Sequence, residues 1–381
     1  MNVALFYHSL LSDWNHGNAH FLRGVAWELK RRGHTVRVFE PVLGWSLSNL
    51  VRERGSAPIE KFAQLYPGLK TSFYDLATLD LDRVLSGMDL VIVHEWNEPE
   101  LIARIGAHRR RGGYQLFFHD THHRSATDAA SIAAYDLSEY DGVLAYGGAI
   151  RERYLRQGWS KRVWVWHEAA DPRMFRPFVS AECAGDLIWI GNWGDGERSA
   201  ELEEFLLEPV RALKLNAAVY GVRYPAHALA ALARAGIEYR GWLPNYEVAR
   251  AFSRYKVTLH IPRRIYVTEL AGIPTIRPFE ALASGIPLVC SPWADVEGLF
   301  TAGRDYLSAR DGGEMAALLR LLLGDPALAR ALAAHGLKTI LARHTCAHRV
   351  DELFSITAES ERLQTGRQPA HAVGPARAVR L

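Results

Sequence analysis

The sequence contains few cysteines and no long apolar run. Its three cysteines, Cys183, Cys290 and Cys346, are far apart in a chain of 381 residues, which excludes a disulfide framework or a zinc-knuckle spacing. This cysteine usage is typical of the reducing cytoplasm, so we predict a cytoplasmic protein. No run of about 18 apolar residues is present, so no transmembrane helix is expected, although peripheral contact with a membrane is left open.

The sequence also lacks a marked excess of charge of one sign. Its 45 Lys and Arg residues are nearly balanced by 42 Asp and Glu residues, which gives a net charge of +3. Proteins that bind nucleic acids normally carry a dense basic patch, so this balance argues against a nucleic-acid partner. Apolar residues make up 49% of the chain and charged residues 23%, which is typical of a globular protein, and the length favours two domains.

Strand-like and helix-like segments alternate along most of the chain. The strand NVALFYH, the helix GNAHFLRGVAWELKRRGH and the strand TVRVFEP predict a βαβ unit with parallel strands. Further strands and helices follow, and the alternation restarts with DLIWIGNW after the aperiodic segment 170–185. This pattern predicts an α/β fold with two Rossmann-like, doubly wound domains that face each other across a cleft.

The domain boundaries are placed at the breaks in this alternation. We assign residues 1–172 to the first domain and residues 186–340 to the second. Residues 341–363 are predicted to form a helical segment that packs back on the first domain. Residues 364–381 lack aromatic residues and periodicity, and we predict that they are disordered.

Polar and aromatic residues are concentrated just after the predicted strands, where open α/β sheets bind their ligands. His119 and Asp120 end the strand YQLFFHD and are candidates for proton transfer. The other first-domain candidates, which would lie on that domain's side of the cleft, are Asp13, His16, Gly17 and Glu95. The run HDTHHR could also bind a metal, but four ligands within five residues rarely converge without a helix, so we predict no metal site.

The segment TIRPFEALASGIPLVCSPW places one carboxylate, Glu280, two residues after Pro278. Proline suits the first turn of a helix, and the free N–H groups of that turn attract an anion such as a diphosphate. A carboxylate in the same turn can accept hydrogen bonds from the two hydroxyls of a ribose. An acid in a first turn is also favoured by the helix dipole alone, so the spacing does not decide between the two readings.

A glycine-rich loop, GNWGDGERS, links another predicted strand to its helix and contains Arg198. A guanidinium at the start of that helix could pair with a diphosphate leaving group. The alternative is a surface arginine that pairs with Glu197 or Glu201.

The sequence resembles the GT-B glycosyltransferases over roughly residues 1–345. The segment RPFEALASGIPLV is similar to the family hallmark fEAlAcGiPlv, and YDGVLAYGGAIRERYLRQGWSKRVWVWHEAADPRMFRP is similar to the passage that precedes the second domain. The start of the second domain, DLIWIGNWGDGERSAELEEFLLEPV, is most similar to the CgeB-like branch, a group of spore-maturation proteins close to the family-four retaining enzymes.

This resemblance implies an enzyme that binds a nucleotide-diphosphate sugar in the second domain and an unidentified acceptor in the first. Glu280 would bind the ribose, Arg198 the diphosphate, and His119 would lie near the reacting sugar. The other residues of the implied nucleotide-sugar site are Gly191, Asn192, Trp193, Leu243, Arg263, Arg277 and Phe279. The resemblance implies a hexosyltransferase that retains configuration and needs no cofactor or metal. An inverting reaction would need a base, with His119, Asp120 and Asp13 as candidates in that order.

One departure from the family pattern leaves the sugar unassigned. Family-four enzymes have a further glutamate, which contacts the donor sugar, eight positions before the equivalent of Glu280, and here that position is Gly272. Two alternatives therefore stay open, namely a nucleotide-sugar epimerase of the same fold and a non-catalytic glycan-binding protein.

Overall fold

The computed structural model describes residues 1–180, 182–194 and 196–365. The first domain is built on a seven-stranded parallel sheet with the strand order β3-β2-β1-β4-β5-β6-β7. Its strands are β1 Asn2–Phe6, β2 Thr35–Pro41, β3 Thr71–Tyr74, β4 Leu90–His94, β5 Gln115–Asp120, β6 Gly142–Ala145 and β7 Val163–Val165. Its helices are α1 Ala19–Arg31, α2 Trp45–Arg54, α3 Ala57–Leu65, α4 Leu81–Leu85, α5 Pro99–Arg109, α6 Arg124–Thr127, α7 Ala129–Ala133 and α8 Gly148–Gln157.

The second domain repeats this design with a six-stranded parallel sheet of order β10-β9-β8-β11-β12-β13. Its strands are β8 Gly185–Ile190, β9 Ala217–Tyr220, β10 Ile237–Tyr239, β11 Tyr255–His260, β12 Leu288–Cys290 and β13 Leu307–Ser308. Its helices are α9 Ser199–Leu202, α10 Glu208–Leu213, α11 Ala226–Arg234, α12 Asn245–Phe252, α13 Ile265–Thr268, α14 Ile276–Ser284, α15 Gly312–Gly324 and α16 Pro326–Arg343, and a π-helical segment, Glu203–Leu207, joins α9 to α10. The predicted α/β fold class is confirmed.

The central strands are buried on both faces, which explains their continuous apolar sequences. Every residue of β4, Leu90–His94, is buried, and its neighbours in the sheet are β1 and β5. Edge strands have less continuous apolar sequences. Two of the four residues of β3 are exposed.

The last helix, α17 Cys346–Thr365, leaves the second domain and lies against α1. Trp166 Nε1 donates a hydrogen bond to the carbonyl oxygen of Arg349 at 2.8 Å, and Arg32 Nη1 lies 2.5 Å from Asp351 Oδ1. Gln364 and Thr365, the first two residues of the predicted disordered tail, belong to this helix, and residues 366–381 lie outside the described residues. No helix within the described ranges has the length and apolar character needed to cross a bilayer.

Candidate active site

A cleft of about 850 Å³ separates the two domains, and this volume is within the range of small-molecule sites. Side chains cross it at several points. Asn15 Oδ1 accepts a hydrogen bond from Asn192 Nδ2 at 2.5 Å, and the hydroxyls of Tyr146 and Tyr266 lie 2.7 Å apart. The two domains are therefore in direct contact at these points.

The second-domain wall of the cleft is basic. Four arginines line it, and we call them the arginine wall: Arg198, Arg223, Arg263 and Arg277. Arg263 is paired with Glu197, and Arg277 is paired with Glu280. The acids that line the cleft, Asp13, Glu98 and Glu168, all come from the first-domain side. Positive charge is therefore concentrated on one wall.

Arg198 is a half-buried member of the arginine wall, and its Nε is enclosed without a hydrogen-bond partner among the described residues. Its guanidinium donates hydrogen bonds to the carbonyl oxygens of Ile261, at 3.0 Å, and Asn192, and it lies over the ring of Trp189. Burial and repulsion from Arg263 lower the pKa of Arg198 to about 10, so the side chain remains charged at neutral pH. A half-buried cation whose partners are carbonyl dipoles is well suited to pair with an anionic ligand.

The amino end of α14 lies beside these arginines. Thr275, Ile276 and Arg277 line the cleft, and the N-cap residue Thr275 makes no side-chain cap to the first turn. The free backbone N–H groups of that turn therefore add to the positive potential of the arginine wall. Gly17 approaches from the first domain, because a Cβ at this position would lie 3.4 Å from Ile276 Cγ2.

The structure does not place Glu280 on the cleft surface. The helix begins at Ile276, two residues before Pro278, so Glu280 falls in the second turn and points into the interior. Its side chain is fully buried between Arg277 and His20, whose Nδ1 lies 2.9 Å from Glu280 Oε1. The dipole interpretation also loses its basis, because the carboxylate is not in the first turn. In this arrangement Glu280 holds Arg277, and Arg277 faces the cleft.

His119 and Asp120 are also placed behind the cleft. A parallel strand that is buried on both faces directs alternate side chains into opposite layers. His119 packs against Phe21 and Trp166 on one face, while Asp120 accepts a hydrogen bond from Tyr154 Oη at 2.8 Å on the other. The residues of this strand end that do reach the cleft follow directly: Thr121, His122 and His123.

The remaining predicted residues divide into two groups. Those that line the cleft with Arg198, Arg263 and Arg277 are Asp13, His16, Gly17, Gly191, Asn192 and Leu243. Those that are buried behind it are Glu95, Trp193 and Phe279. Glu95 supports the first-domain side of the cleft indirectly, because its Oε1 accepts a hydrogen bond from the backbone N–H of Thr121 at 2.9 Å and its Oε2 pairs with Arg124.

The sequence reasoning missed Glu168, a carboxyl group that lines the cleft. It follows β7 in the segment HEAADP, so its position after a strand was the available signal. Its side chain is almost fully buried, and burial, with a further contribution from Glu280, raises its pKa to about 8. Asn18 and Arg277 act in the opposite direction. Glu168 therefore carries its proton at neutral pH.

The structure also explains why position 272 is occupied by a glycine and not by an acid. Its φ is +88°, and a Cβ there would lie 2.3 Å from Val296 Cγ2. A glutamate at this position would be strained and would clash, so the backbone itself accounts for the missing acid.

The first-domain wall contains a group of rings that we call the imidazole wall: His8, His16, Trp96, His122 and His123. The ring centroids of His8 and His16 are 4.0 Å apart, and those of Trp96 and His122 are 5.0 Å apart. Within the described residues, no three His, Cys, Asp or Glu side chains are arranged to hold a metal ion.

Comparisons with known proteins agree with this architecture. Residues 198–355 match the family model described as "Glycosyl transferase-like". A comparison with curated proteins finds no match. The fold of the chain is similar to that of sucrose-phosphate synthase from Thermosynechococcus elongatus, with a TM-score of 0.65 and 14% identity over 96% of this chain and 100% of that one.

Two further solved structures have similar folds. HepE from Anabaena, solved with UDP and glucose, has a TM-score of 0.65 and 12% identity, with 94% of this chain and 99% of that one covered. An alpha-glucosyltransferase solved with UDP and a 13-mer DNA has a TM-score of 0.64 and 12% identity over the same shares of the two chains. The two parallel-sheet domains therefore form a GT-B fold, as the sequence resemblance predicted.

Glu168 generates a prediction about stability and pH. Its raised pKa means that the folded protein binds this proton more tightly than the unfolded chain, whose value is near 4.5. Stability from this group is therefore present below about pH 4.5 and is lost as the pH rises towards 8. Glu168→Gln cannot titrate, so its free energy of unfolding relative to the unsubstituted protein should rise between pH 5 and pH 8 in urea melts. A difference that stays constant over this range would contradict the assignment.

Proposed function

We propose that the protein is a glycosyltransferase that moves a sugar from a nucleotide-diphosphate sugar to an acceptor hydroxyl, with retention of configuration. The observation that carries the proposal is the half-buried guanidinium of Arg198, which lines the cleft with carbonyl partners beside Arg263, Arg277 and the amino end of α14. A diphosphate supplies the negative charge that this arrangement favours. The family match over residues 198–355 supports the same reaction class.

A uridine nucleotide and a hexose are the donor parts best supported by the fold relatives. HepE was solved with UDP and glucose, and the alpha-glucosyltransferase was solved with UDP. We therefore propose a UDP-hexose as donor. The CgeB-like relationship and the cytoplasmic location remain predictions from the sequence.

In the proposed reaction the bond between the sugar C1 and the diphosphate oxygen breaks, and the electron pair leaves with the diphosphate. Arg198, Arg277 and the N–H groups of α14 offset the growing negative charge, and such stabilisation is usually the largest catalytic contribution in a closed site. The acceptor oxygen then bonds to C1 on the same face, and its proton passes to the departing phosphate. No protein base is required.

The placement of the candidate bases supports retention over inversion. His119 and Asp120 lie behind the cleft, and Asp13 Oδ2 is held by Arg23 at 2.9 Å and by the backbone N–H of Asn245 at 3.0 Å. Glu168 lines the cleft but is protonated at neutral pH. A protonated carboxyl group can donate a hydrogen bond to a donor or acceptor oxygen, but it cannot accept the acceptor's proton.

The epimerase alternative differs in one observable. An epimerase would convert a UDP-hexose without an acceptor, whereas a transferase forms no epimer. Incubation of the protein with UDP-glucose alone, followed by separation of the nucleotide sugars, distinguishes the two reactions.

Arg198→Ala should weaken the binding of UDP-glucose by about 10-fold to 100-fold, because a charge-assisted hydrogen bond contributes roughly 1.5–3 kcal/mol. Titration calorimetry measures the change. Arg264→Ala is the matched control, since Arg264 is exposed and paired with Glu201 outside the cleft. Equal affinities of the Arg198 variant and the control would contradict the proposed diphosphate site.

A double-mutant cycle on Arg277 and Glu280 tests how Glu280 acts. If Glu280 only holds Arg277, then Glu280→Ala should weaken UDP binding in the unsubstituted protein and change it little in an Arg277→Ala background. If the carboxylate contacts the ribose after Arg277 moves, the loss should persist in that background. Thermal melts of each variant separate a loss of affinity from a loss of fold, because removing one partner of a buried ion pair also destabilises the protein.

Turnover should not depend on an added metal, because arginines and a helix end supply the positive charge in this proposal. Activity with UDP-glucose is therefore expected to be the same with EDTA as with Mn²⁺. A loss of activity in EDTA that Mn²⁺ restores would show that the arginine wall is insufficient.

A further inference from the structure

We propose that the imidazole wall binds the acceptor and that this acceptor is a neutral, unphosphorylated saccharide. The inference rests on the proposed function, since it assigns the other substrate of the same cleft. It is carried by the rings of the wall, by their unused hydrogen-bonding atoms and by the separation of charge between the two walls.

The rings of the imidazole wall form one continuous surface. His8 is in contact with both His16 and Trp96, at centroid distances of 4.0 and 6.2 Å, and Trp96 continues to His122 and His123. Trp96 is the exposed member, with 43% of its surface accessible. An indole face presents an apolar surface with a polar edge, which suits the C–H face of a sugar ring.

The imidazoles of this wall are neutral at physiological pH. Burial lowers the pKa of His8 to about 3 and of His123 to about 4, and it holds the pKa values of His16 and His122 well below the usual range. A neutral imidazole offers one donor and one acceptor, which is the pairing that a hydroxyl group needs. It offers no positive charge to a phosphate.

Each of these imidazoles has a ring nitrogen without a hydrogen-bond partner among the described residues. The atoms are His8 Nδ1, His16 Nε2, His122 Nδ1 and His123 Nε2. Buried polar atoms are normally paired, so each of these nitrogens has hydrogen-bonding capacity that the protein does not use. The wall therefore has capacity left for the hydroxyls of a bound sugar.

The charges around the imidazole wall disfavour an anionic acceptor. Asp13 and Glu98 line the same side of the cleft. Arg124, a cation on this side, is already paired with Glu95 at 3.2 Å, and its guanidinium stacks on Trp96 at 4.3 Å from the ring centroid.

Arg263 of the arginine wall also acts on His122 and His123, but it is paired with Glu197. The arginine wall lies on the opposite side, where the donor diphosphate would occupy it. Among the described first-domain residues that line the cleft there is no Lys or Arg, so a phosphate on the acceptor would find no unpaired cation on this side.

Acceptors that differ only in a phosphate test this inference. With UDP-glucose as donor, UDP release is measured in water alone and with glucose, fructose, glucose 6-phosphate, fructose 6-phosphate or a single-stranded oligonucleotide. At least one neutral sugar should raise the rate above the water-only rate, and its kcat/KM should exceed that of its phosphate by about tenfold or more. Equal or better use of a phosphorylated sugar or of the oligonucleotide overturns the proposal, and so does the failure of both neutral sugars while UDP-glucose is bound.

Substitutions of Trp96 test whether the acceptor binds to the imidazole wall. Trp96→Ala should lower kcat/KM for the neutral sugar by about twofold to tenfold, mainly through KM, because an aromatic contact contributes roughly 0.5–1.5 kcal/mol. Trp96→Phe keeps a ring and should restore most of this loss. Phe73→Ala is the control, since Phe73 is 51% exposed on β3 and does not line the cleft. An unchanged KM in Trp96→Ala would overturn the assignment.

The donor measurement separates this inference from the proposed function. UDP affinity is determined for the unsubstituted protein by calorimetry before any acceptor is added. If UDP and UDP-glucose do not bind, the proposed function itself fails. If they bind and the acceptor results are negative, only the inference about the imidazole wall is overturned.

Discussion

The partial burial of a positive charge at the carboxyl edge of the second sheet is the constraint on which the site depends. Arg198 is held by two carbonyl oxygens and repelled by Arg263, and its lowered pKa reflects the cost of keeping the charge there. The fold tolerates this cost because the loops after β8 and β11 supply the carbonyl dipoles. An anion in the cleft would offset this cost, so the site is suited to a negatively charged ligand.

The first domain contributes the complementary chemistry. The described first-domain residues that line the cleft include carboxyl groups, one of them protonated, and neutral imidazoles, but no Lys or Arg. The two walls therefore differ in charge. Because both walls come from the carboxyl ends of parallel strands, duplication of one architecture supplies two sites of opposite character that face each other.

The sequence predicted the two domains well because central parallel strands have strong, continuous apolar signals. It predicted the exact residues of the cleft less well. His119 and Asp120 were chosen because they end a strand, but the strand is buried on both faces and the cleft begins one residue later, at Thr121. Glu280 was placed in a first turn because Pro278 marks helix starts, yet the helix begins at Ile276. Such offsets of one or two residues reverse the direction of a side chain, and periodicity alone does not fix them.

The return of the chain at α17 also affects how the domains can move. One connection between the domains passes Ala170 and the other passes Thr345, and the two are joined by hydrogen bonds from Ala170 N to the carbonyl of His344 at 3.0 Å and from Cys346 N to the carbonyl of Ala170 at 2.9 Å. Because the two connections are hydrogen-bonded side by side, they can act as one hinge between the domains. If the domains move apart, rotation about this pair would open the cleft while both sheets stay intact.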